Sequence, residues 1–238
     1  MQRYFAEILN KKVKLDDGDV HHLLNVVRMK KGDNIEVVYR EKLYICGIIN
    51  VNPLEIEVIE EMPLDSEIKN DVTLFFALAK GDKIDFVIQK ATELGVKRIV
   101  LMKTNRCVVK MSNDDFNKKL VRYEKIAKEA SEQSHRLVVP KIVGVVDINK
   151  IPDSMLSDIN FVAYEKEAGA TEATFNELNN IGNKSISSFI GPEGGFTEEE
   201  INLLYKKNVK SVSLGKRILR CETAAVYALS VIGFMLEK

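Results

Sequence analysis

The sequence predicts an α/β chain in two parts, a small β-barrel over residues 1–68 and, over residues 72–238, a domain built on a mostly parallel sheet. Three observations carry this. Short alternating apolar segments separated by turn residues fill the first part, and near-continuous apolar strands alternate with amphipathic helices in the second. Between them, residues 63–71 mix Pro, Ser, Asn and charges and belong to neither pattern. A length of 238 residues is enough for two cores.

In the first part, strands are expected at Ile35–Tyr39, at Leu43–Val51 and, with clear alternation, at Leu54–Val58, punctuated by Lys31-Gly32-Asp33-Asn34 and Asn52-Pro53. Asp19–Arg28 reads as a short helix with Val20, Leu23, Leu24 and Val27 on one face. His21 and His22 are neighbours on that helix and point apart, so no shared metal is expected of them.

In the second part, Val72–Ala79 is a buried strand, Asp82–Leu94 a helix with Ile84, Val87, Ile88 and Ala91 inward, and Arg98–Met102 the next strand, together one βαβ unit. Phe116, Leu120, Tyr123, Ala127 and Ala130 form a helical stripe. Strands are expected at Ile159–Tyr164, Ile186–Ile190 and Val212–Leu214, with a closing helix from Glu222 to Lys238. Periodicity alone gives an ordinary doubly wound domain, since connections that thread one another are essentially absent from folds.

Two strand ends run into unusual turns. After Ile190 come Gly191, Pro192, Glu193, Gly194 and Gly195, and Thr197 with Glu200 then forms a capping box that starts a helix. After Leu214 comes Gly215, and Glu222-Thr223-Ala224-Ala225 opens the last helix. Loops at the carboxyl ends of strands are where open α/β sheets bind ligands. The acidic crowd Glu193, Glu198, Glu199 and Glu200 disfavours a polyphosphate, and neither a G-x-G-x-x-G nor a P-loop pattern occurs. A glycine-rich connection that binds nothing remains the alternative for either loop alone.

Lys plus Arg equals Asp plus Glu at 35 each, so any basic footprint for nucleic acid must be local. Cys46, Cys107 and Cys221 are isolated, odd in number and lack metal-ligand spacing, which fits a reducing compartment without disulfides or zinc. The longest apolar run, Ala224–Leu236, is short of the roughly 20 residues a membrane span needs, and the amino terminus has no signal-peptide core. The expectation is a cytoplasmic protein with no metal and no membrane partner.

Several blocks resemble one family in the same order along nearly the whole chain. They are Lys80–Asp85 (KGDKID), Gln89–Val96 (QKATELGV), Glu129–Arg136 (EASEQSHR) with Val139-Pro140, Gly191–Gly195 (GPEGG) and Leu214–Ala224 (LGKRILRCETA). They resemble the bacterial 16S ribosomal RNA uridine-N3 methyltransferases, the RsmE family of the SPOUT superfamily. The resemblance implies a PUA-like barrel that contacts RNA, then a SPOUT-type parallel sheet with a carboxyl-terminal trefoil knot. It further implies S-adenosylmethionine (SAM) as cofactor, a homodimer, and as substrate a decoding-region uridine of 16S rRNA in the assembled small ribosomal subunit.

The cofactor would then be held by Ile190, Gly191, Pro192, Gly194 and Gly195 of the first loop. Leu214, Gly215, Arg217, Ile218, Leu219, Thr223 and Ala224 of the second would join them, with Ala163, Tyr164 and Glu165 as a third strand tip. Such a site needs apolar surface for adenine, close backbone approach and tolerance of a sulfonium cation, which Glu193 favours. RNA contacts are expected from Arg3, Arg28, Lys80, Lys83, Arg106, Gln133 and Arg136.

Methylation at uracil N3 needs a proton acceptor and a partner for the anion spread over O2 and O4. Arg220 is the candidate for the second role; for the first it is Glu222 or Glu193, given an environment that raises its pKa, with water as the alternative acceptor. Three alternatives stay open on the residues alone. Arg217 and Arg220 could form an interdomain ion-pair set, or Arg220 could hold an RNA phosphate. Cys221 could attack C6 of a pyrimidine in C5 chemistry. The chain could also be a catalytically silent RNA-binding protein.

Overall fold

A computed structural model describes residues 1–164, 178 and 181–237. By contacts the chain forms two compact units, Met1–Glu67 with Ser131–Val138, and Ile68–Ala130 with Val139–Lys238. The first unit is therefore discontinuous in sequence, where a single boundary after residue 68 would place 131–138 in the second part.

The first unit carries β1 (Arg3–Phe5), β2 (Glu7–Leu9), β3 (Lys12–Lys14), β4 (Asn34–Tyr39), β5 (Lys42–Val51) and β6 (Leu54–Met62) in one sheet of order β1-β4-β5-β6-β3-β2. Only β1 and β4 pair in parallel. Tyr4, Leu23, Ile35, Val37, Cys46, Ile48 and Ile56 form its core. The expected helix is shorter and differently wound. α1 (Asp17–His21) is capped by Asp16, whose Oδ1 accepts from Asp19 N at 2.8 Å, and a π turn follows at His22–Val26, where Val27 N reaches back to His22 O at 2.9 Å. The wider turn keeps Leu23 in the core and sets His22 Nδ1 3.0 Å from Tyr4 OH.

Two residues expected to meet RNA are instead buried inside this unit. Arg3 is 4% exposed; its Nε donates to Glu36 Oε2 at 2.8 Å and its Nη1 to the carbonyls of His135 and Arg136. Arg136 is 3% exposed and donates from Nη2 to Glu67 Oε2 at 2.6 Å, while Glu67 Oε1 accepts from Leu137 N at 2.7 Å. Guanidinium groups so enclosed are not available to phosphates; they clamp residues 131–138 to the unit. Arg136→Ala is accordingly expected to cost about 3–5 kcal/mol, the usual price of stranding the other half of a buried pair, read as a shift in chemical denaturation midpoint.

The second unit carries β7 (Val72–Ala77), α2 (Lys83–Glu93), β8 (Arg98–Lys103), α3 (Asn113–Gln133, its last turn counted with the first unit), β9 (Lys141–Asp147), β10 (Ile159–Ala163), β11 (Ile186–Ile190), α4 (Glu198–Lys206), β12 (Val209–Val212) and α5 (Cys221–Leu236). Its sheet is wholly parallel, in the order β12-β10-β11-β7-β8-β9. Strand residues alternate between two cores. Val72, Leu74, Phe76, Ile99 and Leu101 join Val87, Ile88, Tyr123, Ala225 and Leu229 on one face, while Phe75, Val100, Met102 and Phe189 join Ile201 and Leu204 on the other. Burial on both faces is why these strands read as continuous apolar runs. Phe75 and Phe189, paired across β7 and β11, stack at 4.2 Å.

The strand order reverses between β7 and β11: the chain runs outward from β7 through β8 to β9, then crosses over to the other side of the sheet. A crevice opens beyond the carboxyl ends of strands at such a switch point. The loops after β7, β8, β11 and β12 lie at that end, as does Tyr164 directly after β10.

Candidate active site

A cavity of about 390 Å³ occupies this crevice, a volume within the range of small-molecule sites. Its walls come from three strand tips. Ala163 ends β10 and Tyr164 follows it, with Tyr164 N bonded to Val212 O at 3.0 Å, so this tip is tied to the end of β12. Ile190, Gly191, Pro192, Glu193 and Gly195 end β11. Ser213, Leu214 and Gly215 follow β12, which stops at Val212 rather than running to Leu214, and Arg217, Ile218, Leu219, Arg220, Cys221 and Ala224 complete the rim.

The turn chemistry explains the shape. Gly195 has φ +67 and closes a turn onto Pro192 O at 2.9 Å; Gly215 has φ +106, where L side chains rarely go, and a Cβ there would meet nothing within 4 Å. Beyond the first loop, Thr197 and Glu200 form the expected capping box, with Thr197 N donating to Glu200 Oε2 at 2.8 Å and Glu200 N to Thr197 Oγ1 at 3.3 Å. Glu200, 1% exposed, has a second task that its sequence position does not reveal: its Oε1 accepts from Asn105 N at 2.7 Å and ties the loop after β8 to the start of α4.

Of the residues expected to hold a cofactor, Gly194 and Thr223 do not line the cavity. A Cβ on Gly194 would lie 3.1 Å from Cβ of Arg106, whose Nη1 donates to Gly194 O at 2.9 Å; this glycine accommodates a neighbouring side chain. Thr223 is exposed on the first turn of α5, and Glu165 lies outside the described residues. Conversely Lys83 and Arg106, expected at RNA, line the cavity, as do Phe196 and Ser213, which the sequence reading passed over although each adjoins a glycine loop. Arg28, Lys80 and Gln133 are exposed.

The site's charges fall into two groups. Glu193 and Glu222 share Lys83, whose Nζ is 2.9 Å from Glu193 Oε1 and 3.5 Å from Glu222 Oε2. Burial pushes both carboxyls up, but the hydrogen bonds they accept, from Lys83 and Lys80 N for Glu193 and from Cys221 and Lys83 for Glu222, bring both below the ordinary glutamate value. Both are carboxylates at neutral pH. Burial, then the Glu222 hydrogen bond, pushes the Cys221 thiol up to about 12. The other group is Arg217 and Arg220, both exposed at the rim, whose guanidinium groups make no hydrogen bond or ion pair among the described residues. Ion-pairing of these two arginines within the chain is therefore not seen there.

The fit to a sulfonium cofactor rests on this donor set: apolar Ile190, Leu214 and Leu219, backbone at Gly191, Gly195 and Gly215, and an anionic Glu193. Among the described residues no group of three or more His, Cys, Asp or Glu is placed to hold a metal ion, and no helix is long and apolar enough to cross a membrane.

Comparison with known proteins gives consistent matches over both units. A family model described as an RNA methyltransferase domain matches residues 66–233, and one described as an RNA methyltransferase PUA domain matches residues 15–61. Ribosomal RNA small subunit methyltransferase E of Bacillus subtilis is 36% identical over 100% of this chain and 98% of its own length. The protein of the same name from Rickettsia conorii is 33% identical over 94% of this chain and 90% of its own. Among solved structures, a ribosomal RNA small subunit methyltransferase E from Neisseria gonorrhoeae bound to S-adenosyl methionine superposes with a TM-score of 0.84, at 30% identity, over 98% of this chain and 97% of that one.

Proposed function

The chain belongs to the RNA methyltransferase family that includes the ribosomal RNA small subunit methyltransferase E proteins. From that premise we propose that it uses SAM to methylate N3 of one uridine in the decoding region of 16S rRNA, acting on the assembled small subunit in the cytoplasm. The observation that carries the reading is the cavity itself, with glycine loops, an apolar wall and two arginines on its rim that form no ion pair among the described residues.

SAM, when bound, supplies a methyl carbon made electrophilic by the adjoining sulfonium. Ile190, Leu214 and Leu219 would enclose its apolar surface, and Gly191, Gly195 and Gly215 would let the backbone approach it. On the substrate side, Glu222 or Glu193 would accept the N3 proton; both are ionised, but neither has the raised pKa expected of a base, so each would be a weak one. Arg220 would face the negative charge left on O2 and O4. Arg28, Lys80, Arg106 and Gln133 are the remaining RNA contacts of this reading, and single-strand shape rather than net charge would select the nucleotide. A second copy of the chain completes it, since Ile218 is 86% exposed and Phe234 66%. A trefoil knot at the carboxyl end belongs to the same reading.

One observation argues against C5 chemistry. That route needs a thiolate at Cys221, whereas this thiol donates to Glu222 Oε2 at 3.2 Å and stays protonated far above neutrality. Mass spectrometry of rRNA from a strain lacking the gene tests the assignment: N3-methyluridine should vanish from one 16S position and return on complementation. Its full retention would exclude the proposed substrate.

A further inference from the structure

Lys83 stands in an unusual place for a residue expected to hold an RNA phosphate. It is the first residue of α2, a helix packed against α5, and its ammonium contacts carboxylates from two separate elements, Glu193 in the loop after β11 and Glu222 in the first turn of α5. Glu193 Oε1 also accepts from Lys80 N at 3.2 Å, so the segment that leaves β7 touches the first loop twice. Cys221 Sγ lies 4.0 Å from the same ammonium.

We propose that Lys83 is a positioning residue, a single ammonium that ties Glu193 of the first glycine loop to Glu222 in the first turn of α5, where the second loop ends, and so holds the two loops at the spacing that forms the cofactor cavity. The charges around it support this. Lys80 and Lys83 come from the β7–α2 connection, Glu193 from the first loop, Cys221 and Glu222 from α5, while Arg106, Arg217 and Arg220 line the same cavity. Lys83 is the cation that forms ion pairs with both carboxylates among the described residues. Without it, two carboxylates would share one site, which they relieve by moving apart or by binding a proton. The depressed titration of both glutamates and the raised one of Lys83 agree with the contact.

The test is a carbon-13 carboxyl titration of Glu193 and Glu222 in the apo protein, for the wild type, Lys83→Met and Lys83→Arg. In the wild type both should titrate below the ordinary value of about 4.3. In Lys83→Met at least one should rise by about one pH unit or more, and Lys83→Arg, which keeps the charge, should remain low. Lys83→Gln, closer in polarity, serves should the methionine variant not fold. SAM calorimetry runs alongside: as the loops lose their tie, affinity should drop roughly tenfold, about 1.4 kcal/mol, in Lys83→Met and largely recover in Lys83→Arg. Unchanged glutamate titrations in Lys83→Met, or wild-type SAM affinity in it, would overturn the inference. Only the calorimetric arm rests on the methyltransferase reading: a wild type that fails to bind SAM counts against that reading, and the titration still decides the role of Lys83.

Discussion

Arg220→Ala is expected to slow methyl transfer by roughly 10²–10³-fold, the usual effect of deleting one stabiliser of developing negative charge, at nearly unchanged SAM affinity. The geometry makes this separation clean. Arg220 occupies the N-cap position of α5 without a side-chain cap bond, its guanidinium is exposed, and Glu222 beside it has Lys83 as its cation. Removing Arg220 thus strands no carboxylate, and stability should stay within about 0.5 kcal/mol of the wild type, as for other surface changes. Cys221→Ser should turn over near the wild-type rate, because a thiol held at about 12 is no nucleophile at neutral pH.

The same experiment carries a pH arm. A carboxylate whose pKa is depressed on folding stays ionised below the ordinary glutamate range, so a rate that depends on Glu222 as base should hold as pH falls to that range and drop only beneath it. Glu222→Gln should be slowest at low pH and partly recover at high pH, where N3 loses its proton unaided. A single-turnover rate unaltered in Arg220→Ala would remove that residue from the mechanism.

The parts of this fold legible in the sequence are those whose signal is local. Ile186–Ile190 appears as a strand with the expected bounds because five consecutive residues are buried. The capping box is legible because Thr197 and Glu200 are three residues apart and satisfy each other. Strands β1, β2 and β3 are three residues each, too short for periodicity to register, and β9 has a mixed, mostly half-buried pattern interrupted by Gly144. That glycine has a packing reason: a Cβ there would meet the Phe116 ring at 3.4 Å.

Charge is where sequence reading fails most instructively. An arginine is written the same way whether it faces a phosphate or a carboxylate. Arg3 and Arg136 look like an RNA surface until the contacts between the amino terminus and residues 135–136 are known, and those contacts span more than a hundred positions. The partner of Lys83 is hidden for the same reason, since Glu193 lies 110 residues away. The two glycine loops meet at one cavity, yet their individual tasks are not legible in the sequence: Gly194 makes room for Arg106, whereas Gly195 and Gly215 line the cavity.

That distinction sets the remaining large effect. Gly215→Val should weaken SAM binding by roughly two orders of magnitude, because φ +106 lies outside the region open to a β-branched residue and holding it there costs about 1–3 kcal/mol, which the loop escapes by leaving its cavity-forming shape. A Cβ at this position would touch nothing within 4 Å, so the loss would come from backbone strain and from the side chain entering the cavity, not from a clash with the core. Gly215→Ala should show the strain with less intrusion and lose less affinity. Gly32, at φ +93 in a turn of the first unit and also clear of any atom within 4 Å, is the matched control: Gly32→Val should lower stability comparably and leave SAM affinity alone. Calorimetry with denaturation on all three variants gives the answer. Wild-type affinity in Gly215→Val would show that the second loop does not shape the cofactor site, and equal losses in Gly215→Val and Gly32→Val would assign the effect to general destabilisation instead.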